Sequence, residues 1–275
     1  MVEEEEKKEE EKEEKKEEEK KEEEKKEEEK EEEKKEEEKE EKKEEEKKEE
    51  EEEEKRGDLL EKGAIVQRDY ETYAIAPHFP GGLCEPSALR KVAEVAEKYK
   101  AAALKLTSAQ RIAIVGIAES EIENAWNDLG LPPGYAIGLC VRSVKFCPGT
   151  TFCKRGKQDA VKLGLELDKR FHGMALPSKF KIGVSGCTNC CAESWIKDLG
   201  FVGMPRGWRV VVGGAAGASP RIAEVLAENL SDDEALELAD RVLNYYKNCE
   251  TKLRLGRYLK KVGLEEFEKF KRAVL

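Results

Sequence analysis

The sequence predicts an α+β protein, a body of 219 residues behind a charged tail, on three observations. The composition breaks at residue 56. Residues 1–56 hold 35 Glu, 18 Lys and one Arg, and no apolar side chain occurs between Val2 and Leu59. From there on, short β-type runs alternate with helical periodicity, in the order ββ–α–ββ–α through the first half of the body. Turn and capping signals mark the junctions between them.

The break divides the charge. The whole chain carries −11, whereas the tail alone carries −16 and the body, with 32 basic and 27 acidic residues, carries +5. A tail of this composition cannot bury a core. It lacks the apolar a/d positions of a coiled coil. Glu–Lys pairs four apart, such as Glu17–Lys21 and Glu38–Lys42, support an isolated helix roughly 80 Å long. Runs such as Glu49–Glu54 oppose it, so a solvated chain is the competing expectation. An inert solubilising extension is expected ahead of a partner-binding arm. No run of 18 apolar residues suggests a membrane span, and the acidic N-terminus lacks the apolar stretch of a secretory signal. A reducing, cytoplasmic location is therefore expected, where clustered Cys serve metals or redox chemistry more often than structural disulfides. Nucleic acid is not an expected partner.

Ala64–Gln67 and Thr72–Ala76 read as a hairpin across the polar turn Asp69–Glu71. Pro86 and Ser87 open a helix with Leu89, Val92, Ala93 and Ala96 on one face. Ala103–Leu106 and Ile112–Ile117 read as strands. Ser120 and Glu123 form a capping-box signature before a helix to Leu129. Gly130–Gly134 breaks the chain, so domain boundaries are expected at 1–56, 57–133 and 134–275. In the second half, Ala136–Val144 is a predicted strand. A helix to Phe171 follows, with Ala160, Leu163, Leu167 and Phe171 on one face. Lys179–Val184, Phe201–Gly203 and Trp208–Val212 are further strands. The C-terminus reads as helical, with Ser231 and Glu234 as a second capping box and Leu236, Ala239, Leu243 and Tyr246 on one face.

Eight Cys fall in the body. Two groups stand out: Cys147-x5-Cys153, and Cys187-x3-Cys191 with Cys190 between. Each group begins in a loop after a strand, and each loop carries a glycine, Gly149 or Gly186, that lets backbone approach a bulky group. Four thiolates from two loops satisfy a [4Fe–4S] cluster. Zinc prefers knuckles of shorter spacing, and buried free thiols are the plainest alternative. Cys84, Cys140 and Cys249 have no partner pattern. His78 and His172 carry no ligand assignment.

Cys147-Pro-Gly-Thr-Thr-Phe-Cys153-Lys-Arg-Gly-Lys-Gln-Asp and Ser185-Gly-Cys187-Thr-Asn-Cys-Cys191-Ala-Glu-Ser resemble the paired cluster motifs of the siroheme-dependent nitrite and sulfite reductases. The likeness is to the siroheme domain of NAD(P)H nitrite reductase large subunits and to small assimilatory-type sulfite reductases. Lys105-Leu-Thr107-Ser-Ala-Gln110-Arg111 is similar to that family's siroheme-contacting strand in its ferredoxin-like half. Lys197–Gly203, Val212–Gly217 and Pro220-Arg221 also fit, so the resemblance spans about 63–275.

The resemblance implies a ferredoxin-like half-domain followed by a siroheme and [4Fe–4S] domain. Cys147, Cys153, Cys187 and Cys191 would hold the cluster, and Cys191 would bridge to the siroheme iron. Thr107, Gln110, Arg111, Gly213 and Gly214 would contact siroheme. Lys105, Arg111, Arg142 and Lys145 would bind an anionic substrate, sulfite or nitrite, and supply protons for its six-electron reduction. A siroheme with eight carboxylates suits a basic body, since Arg and Lys donate to carboxylates.

Three departures from the family pattern matter. Cys190 stands where related motifs commonly carry another residue. Ala215 replaces a frequent Asn. One repeat is present where larger relatives have two, so the distal pocket either draws on a second copy in a homodimer or lacks that part. No Gly-x-Gly-x-x-Gly unit for FAD or NAD is found, so electrons are expected from an external donor such as a ferredoxin or a flavoprotein. The alternatives are a non-catalytic siroheme/iron–sulfur carrier and a [4Fe–4S] or zinc scaffold without siroheme.

Overall fold

The computed structural model describes residues 57–275; the tail and its expected helix lie outside the described residues. Two sheets account for the strands. The first is antiparallel, in the order β1-β2-β4-β3, from β1 (Ala64–Val66), β2 (Thr72–Ile75), β3 (Ala103–Leu106) and β4 (Ile112–Ala118). Helices α1 (Pro86–Lys98) and α2 (Ile122–Leu129) complete the ββαββα half. Its core packs Tyr73, Ile75, Ile114 and Ile117 against Val92, Val95, Ile122 and Ala125. Tyr73 and Ile75 keep the strand period of two and the helical pairs lie three apart, whereas Ile114 and Ile117 both face inward because the β2–β4 register shifts between Tyr73 and Ala74, with Gly116 at φ +90°.

The second sheet runs β5 (Val141–Phe146), β6 (Phe180–Ser185), β7 (Leu199–Met204), β8 (Gly207–Val212) and β9 (Glu224–Leu230) in that order. β5, β6 and β7 are parallel; β7–β8 and β8–β9 are antiparallel. A one-turn helix α3 (Gly149–Phe152) and helix α4 (Ala160–Phe171) join β5 to β6. Helices α5 (Asp232–Lys247) and α6 (Leu255–Val274) close the chain, with a break in α6 at Gly263. Leu163, Leu167, Phe180, Ile182, Phe201, Trp208, Leu243 and Tyr246 share the buried core.

Several expectations are corrected. Ser120 caps nothing: it sits in a 3-10 turn, Glu119–Glu121, and α2 starts at Ile122 without a side-chain cap. The Ser231–Glu234 capping box does form. Residues 136–140 are not strand. Gly138 turns there at φ +98°, and only Cys140 makes an isolated bridge, to Ala175. In α1, Leu89 is exposed and Val95 takes the inward place. Strand β9 has no counterpart among the predicted elements. Its residues Glu-Val-Leu-Ala-Glu-Asn-Leu lack alternation because it is a mostly exposed edge strand, where no apolar face is demanded.

Candidate active site: two cysteine loops at the ends of parallel strands

β5 and β6 run side by side, Phe146 opposite Val184. The chain leaves β5 into Cys147 and leaves β6 through Gly186 into Cys187, so both cysteine loops emerge at one edge of the sheet. This is the carboxyl end, where open α/β sheets place their ligands. Cys147 N–H still donates to Val184 O at 3.1 Å, and Gly186 N–H donates to Cys147 Sγ at 3.1 Å. Cys147, Cys153 and Cys187 are half-buried and Cys191 is exposed.

Close backbone contact joins the loops. A Cβ on Gly186 would lie 2.7 Å from Gly149 Cα and 2.8 Å from Gln158 O; one on Gly203 would lie 2.4 Å from Gly186 O. Lys157 and Gln158 N–H groups both donate to Gly186 O, at 2.7 and 3.1 Å. Asp159 caps α4 by accepting from Val161 N–H and Lys162 N–H, and accepts from Thr151 Oγ1 at 2.8 Å, so helix and first loop are tied together. Cys190, at φ +54°, turns the second loop back, and its N–H donates to Cys187 O. Its sulfur accepts from Ser185 Oγ at 3.7 Å. Among the described residues no three cysteine sulfurs lie within 4.8 Å of one another. One tetrahedral zinc, with Zn–S of about 2.3 Å, would need sulfurs about 3.8 Å apart. Four thiols on two adjacent loops are the donor set that a multi-iron cluster takes.

The half-domain reaches this site through the β3–β4 turn. Thr107 and Arg111 close the turn through Thr107 N–H to Arg111 O, 2.9 Å, and Arg111 N–H to Thr107 Oγ1, 3.2 Å. That leaves Gln110 at φ +60° with its amide extended to Phe146. Gln110 Nε2 donates to Phe146 O at 2.8 Å, and Phe146 N–H donates to Gln110 Oε1 at 3.1 Å. Gln110 thus pairs with the residue before Cys147 as a strand neighbour would. Gln110→Leu should cost about 1–3 kcal/mol by stranding two backbone groups, and should lower cluster retention. Urea unfolding and iron content of the purified variant measure the two effects.

The cations occupy different environments. Arg111 is buried and its Nη2 has no hydrogen-bond partner. Burial, then the nearby Arg142 charge, pull its pKa down to about 10. Arg142 donates from Nε to Gly138 O at 2.8 Å and from Nη1 to Ala136 O at 3.3 Å, so it braces that loop. Lys145 meets Glu193 at 3.2 Å, and Lys197 meets the other oxygen of Glu193 at 2.8 Å. The Lys197 hydrogen bond, with Lys145 beside it, holds the Glu193 carboxyl below its usual pKa despite partial burial. Lys105 lies on β3, the outer strand of its sheet and exposed along its length. Gly213 and Gly214 do not sit beside the cysteine loops. Val212 pairs with Leu199 and Leu199 with Ile182, so the loop after β8 lies toward the opposite edge of the sheet.

Sequence reading passed over a cluster between the two sheets. His78 and His172 stack at 3.7 Å, and His78 Nε2 lies 2.8 Å from Asp168 Oδ2. Asp168 Oδ1 and His172 Nε2 are buried without partners. No spacing rule links residues 90 apart, so only the fold brings them together. Burial, then His78 and Arg111, press the His172 pKa down to about 4. The unfolded chain then binds a proton near the ordinary His value of about 6.5 that the folded chain does not take up until about 4. Stability should be full above about 6.5 and fall as pH drops toward 4. Urea midpoints at pH 7, 6 and 5 should show this slope, and His172→Asn should flatten it.

Residues 65–131 match the nitrite/sulfite reductase ferredoxin-like half domain, and residues 137–272 match the nitrite and sulphite reductase 4Fe-4S domain. An assimilatory-type sulfite reductase of Nitratidesulfovibrio vulgaris is 44% identical over 205 residues, 74% of this chain and 94% of that one. The NAD(P)H nitrite reductase of Bacillus subtilis is 40% identical over 206 residues, 74% of this chain but 26% of its own length. Two solved structures share the fold. They are the Mycobacterium tuberculosis NirA protein (TM-score 0.64, 20% identity, 74% of this chain and 40% of that one) and dissimilatory sulfite reductase I (0.65, 15%, 74% and 69%). The cofactors of such reductases are siroheme and a [4Fe–4S] cluster. With its ferredoxin-like half, its paired cysteine loops and this similarity along the body, the chain belongs to the nitrite and sulfite reductase family of enzymes.

Proposed function

We propose that the chain is a sulfite reductase, forming sulfide, with nitrite as the alternative substrate of the same site. The observation that carries this reading is the pair of cysteine loops at the ends of β5 and β6, held together through Gly149, Gly186 and Gly203. Cys147, Cys153, Cys187 and Cys191 would hold the cluster, and Cys191, the most exposed of the four, would also ligate siroheme. When bound, the two cofactors supply the six-electron chemistry, fed by an external donor such as a ferredoxin or flavoprotein. The preference for sulfite rests on likeness, 44% identity to the bacterial assimilatory-type sulfite reductase against 40% to the NAD(P)H nitrite reductase over stretches of nearly equal length.

The chain's own residues fit this use. Arg111, buried with an unpartnered Nη2, can donate to a carboxylate of siroheme or to the substrate anion. Leu104 and Leu106, exposed beside the Thr107–Arg111 turn, offer an apolar wall to a macrocycle. Arg142 adds positive potential while bracing residues 136–138. Lys145 and Lys197 leave a net positive charge around Glu193, beside the Cys191 loop. Either lysine can pass a proton once it faces the substrate. Lys105 serves as an exposed anion donor, and Thr107 and Gln110 act through the turn that they shape.

Anaerobically purified protein should show siroheme and iron–sulfur absorption, and should consume sulfite with reduced methyl viologen at a higher kcat/KM than nitrite. Absence of siroheme bands would overturn the reading. Both bands without turnover of either anion would leave an electron carrier, and a nitrite preference would reassign the substrate.

A further inference from the structure

A cavity of about 780 Å³ opens at the edge of the second sheet opposite the cysteine loops. Ser178 and Lys179, which line it, precede β6, whereas Cys187 follows that strand. Six extended residues separate the two places, roughly 20 Å at 3.3 Å per residue. The cavity is therefore not part of the candidate active site.

Its wall is unusual in charge. Lys179, Arg221, Lys252, Arg254, Arg257 and Lys260 line it, with no Asp or Glu and no aromatic ring among the lining residues. Two of the six are neutralised. Arg254 forks onto buried Asp198, Nε to Oδ1 at 3.1 Å and Nη2 to Oδ2 at 2.5 Å, and Arg221 pairs with Glu224 at 2.5 Å. Lys179, Lys252, Arg257 and Lys260 pair with no carboxylate among the described side chains. The remaining wall is the glycine-rich backbone after β8. That loop is closed by mutual N–H to O bonds between Ala215 and Arg221, at 2.9 and 2.8 Å, and is pinned to α6 where Gly256 meets Gly213. Four uncompensated cations around one cavity repel one another, and a bound anion relieves that repulsion. Guanidinium forks and ammonium groups match phosphate and carboxylate oxygens. Without an aromatic wall, recognition is by charge and not by a ring.

We propose that this cavity is a second anion site, for a compact polyanion carrying three or more negative charges on phosphate or carboxylate groups. Cofactor-loaded protein titrated calorimetrically with pyrophosphate and, separately, with citrate should bind one equivalent of at least one of them. Binding to pyrophosphate alone assigns phosphates, and to citrate alone polycarboxylates. The double variant Lys252→Glu/Lys260→Glu changes two exposed side chains. It should weaken binding by about tenfold or more while leaving the cofactor spectrum unchanged. Lys169→Glu/Lys247→Glu, the same charge change away from the cavity, should leave binding intact. Failure of the wild type to bind either anion saturably at millimolar concentration would overturn the proposal. So would equal weakening by the two double variants, because the binding would then be general electrostatics.

Discussion

Cys191→Ser should reduce turnover of sulfite and nitrite to near background and separate the haem signal from that of the cluster. Removing an outer hydrogen-bond partner of a metal ligand already costs about 10–100-fold in affinity or activity, so loss of a shared ligand should exceed that range. A hydroxyl is a poor replacement because it stays protonated where the thiol ionises. Cys191 is exposed and absent from both hydrophobic cores, so the cofactor-free variant should unfold at nearly the urea concentration of the cofactor-free wild type, any loss in the loaded protein being that of the cofactor. Unchanged spectra and turnover in Cys191→Ser would remove the shared-ligand assignment. The same substitution at Cys190 should retain turnover, because Cys190 Sγ is already engaged with Ser185.

Gly186→Ala should be the most damaging change that leaves every ligand in place. Its methyl would meet Gly149 Cα at 2.7 Å and Gln158 O at 2.8 Å, both backbone atoms that cannot rotate away. Overpacking of this kind costs about 1–3 kcal/mol. Here the strain falls between the loops that carry Cys147 and Cys187, so iron content should drop along with the urea midpoint. Full iron content and wild-type stability in Gly186→Ala would show that the loops are not braced against each other. Gly130→Ala is a useful contrast. Nothing lies within 4 Å of its added Cβ, and its cost is confined to the left-handed backbone at φ +61°.

The parts of the fold legible in the sequence are those encoded locally. The β1–β2 hairpin, the buried face of α4 and the Ser231 cap follow from periodicity and from contacts within four residues. The cysteine loops were legible for the same reason, since glycine and thiols recur at short spacing beside apolar runs. The errors fall where local pattern and tertiary demand part. Ser120-x-x-Glu123 satisfies a capping rule, yet the chain enters α2 through a 3-10 turn. Edge strand β9 needs no apolar alternation and showed none.

By itself, then, the sequence determined the charged tail, the α+β class, the four-cysteine constellation and its likeness to a reductase family. Only the tertiary structure decided that Gln110 binds the backbone of Phe146, that Gly213 and Gly214 lie across the sheet from the cysteines, and that His78, Asp168 and His172 meet in one buried cluster. The physical reason is range. Secondary structure and turns are set by neighbours a few residues apart, whereas strand order and register emerge from the packing of the whole core, and they decide which distant side chains share a site.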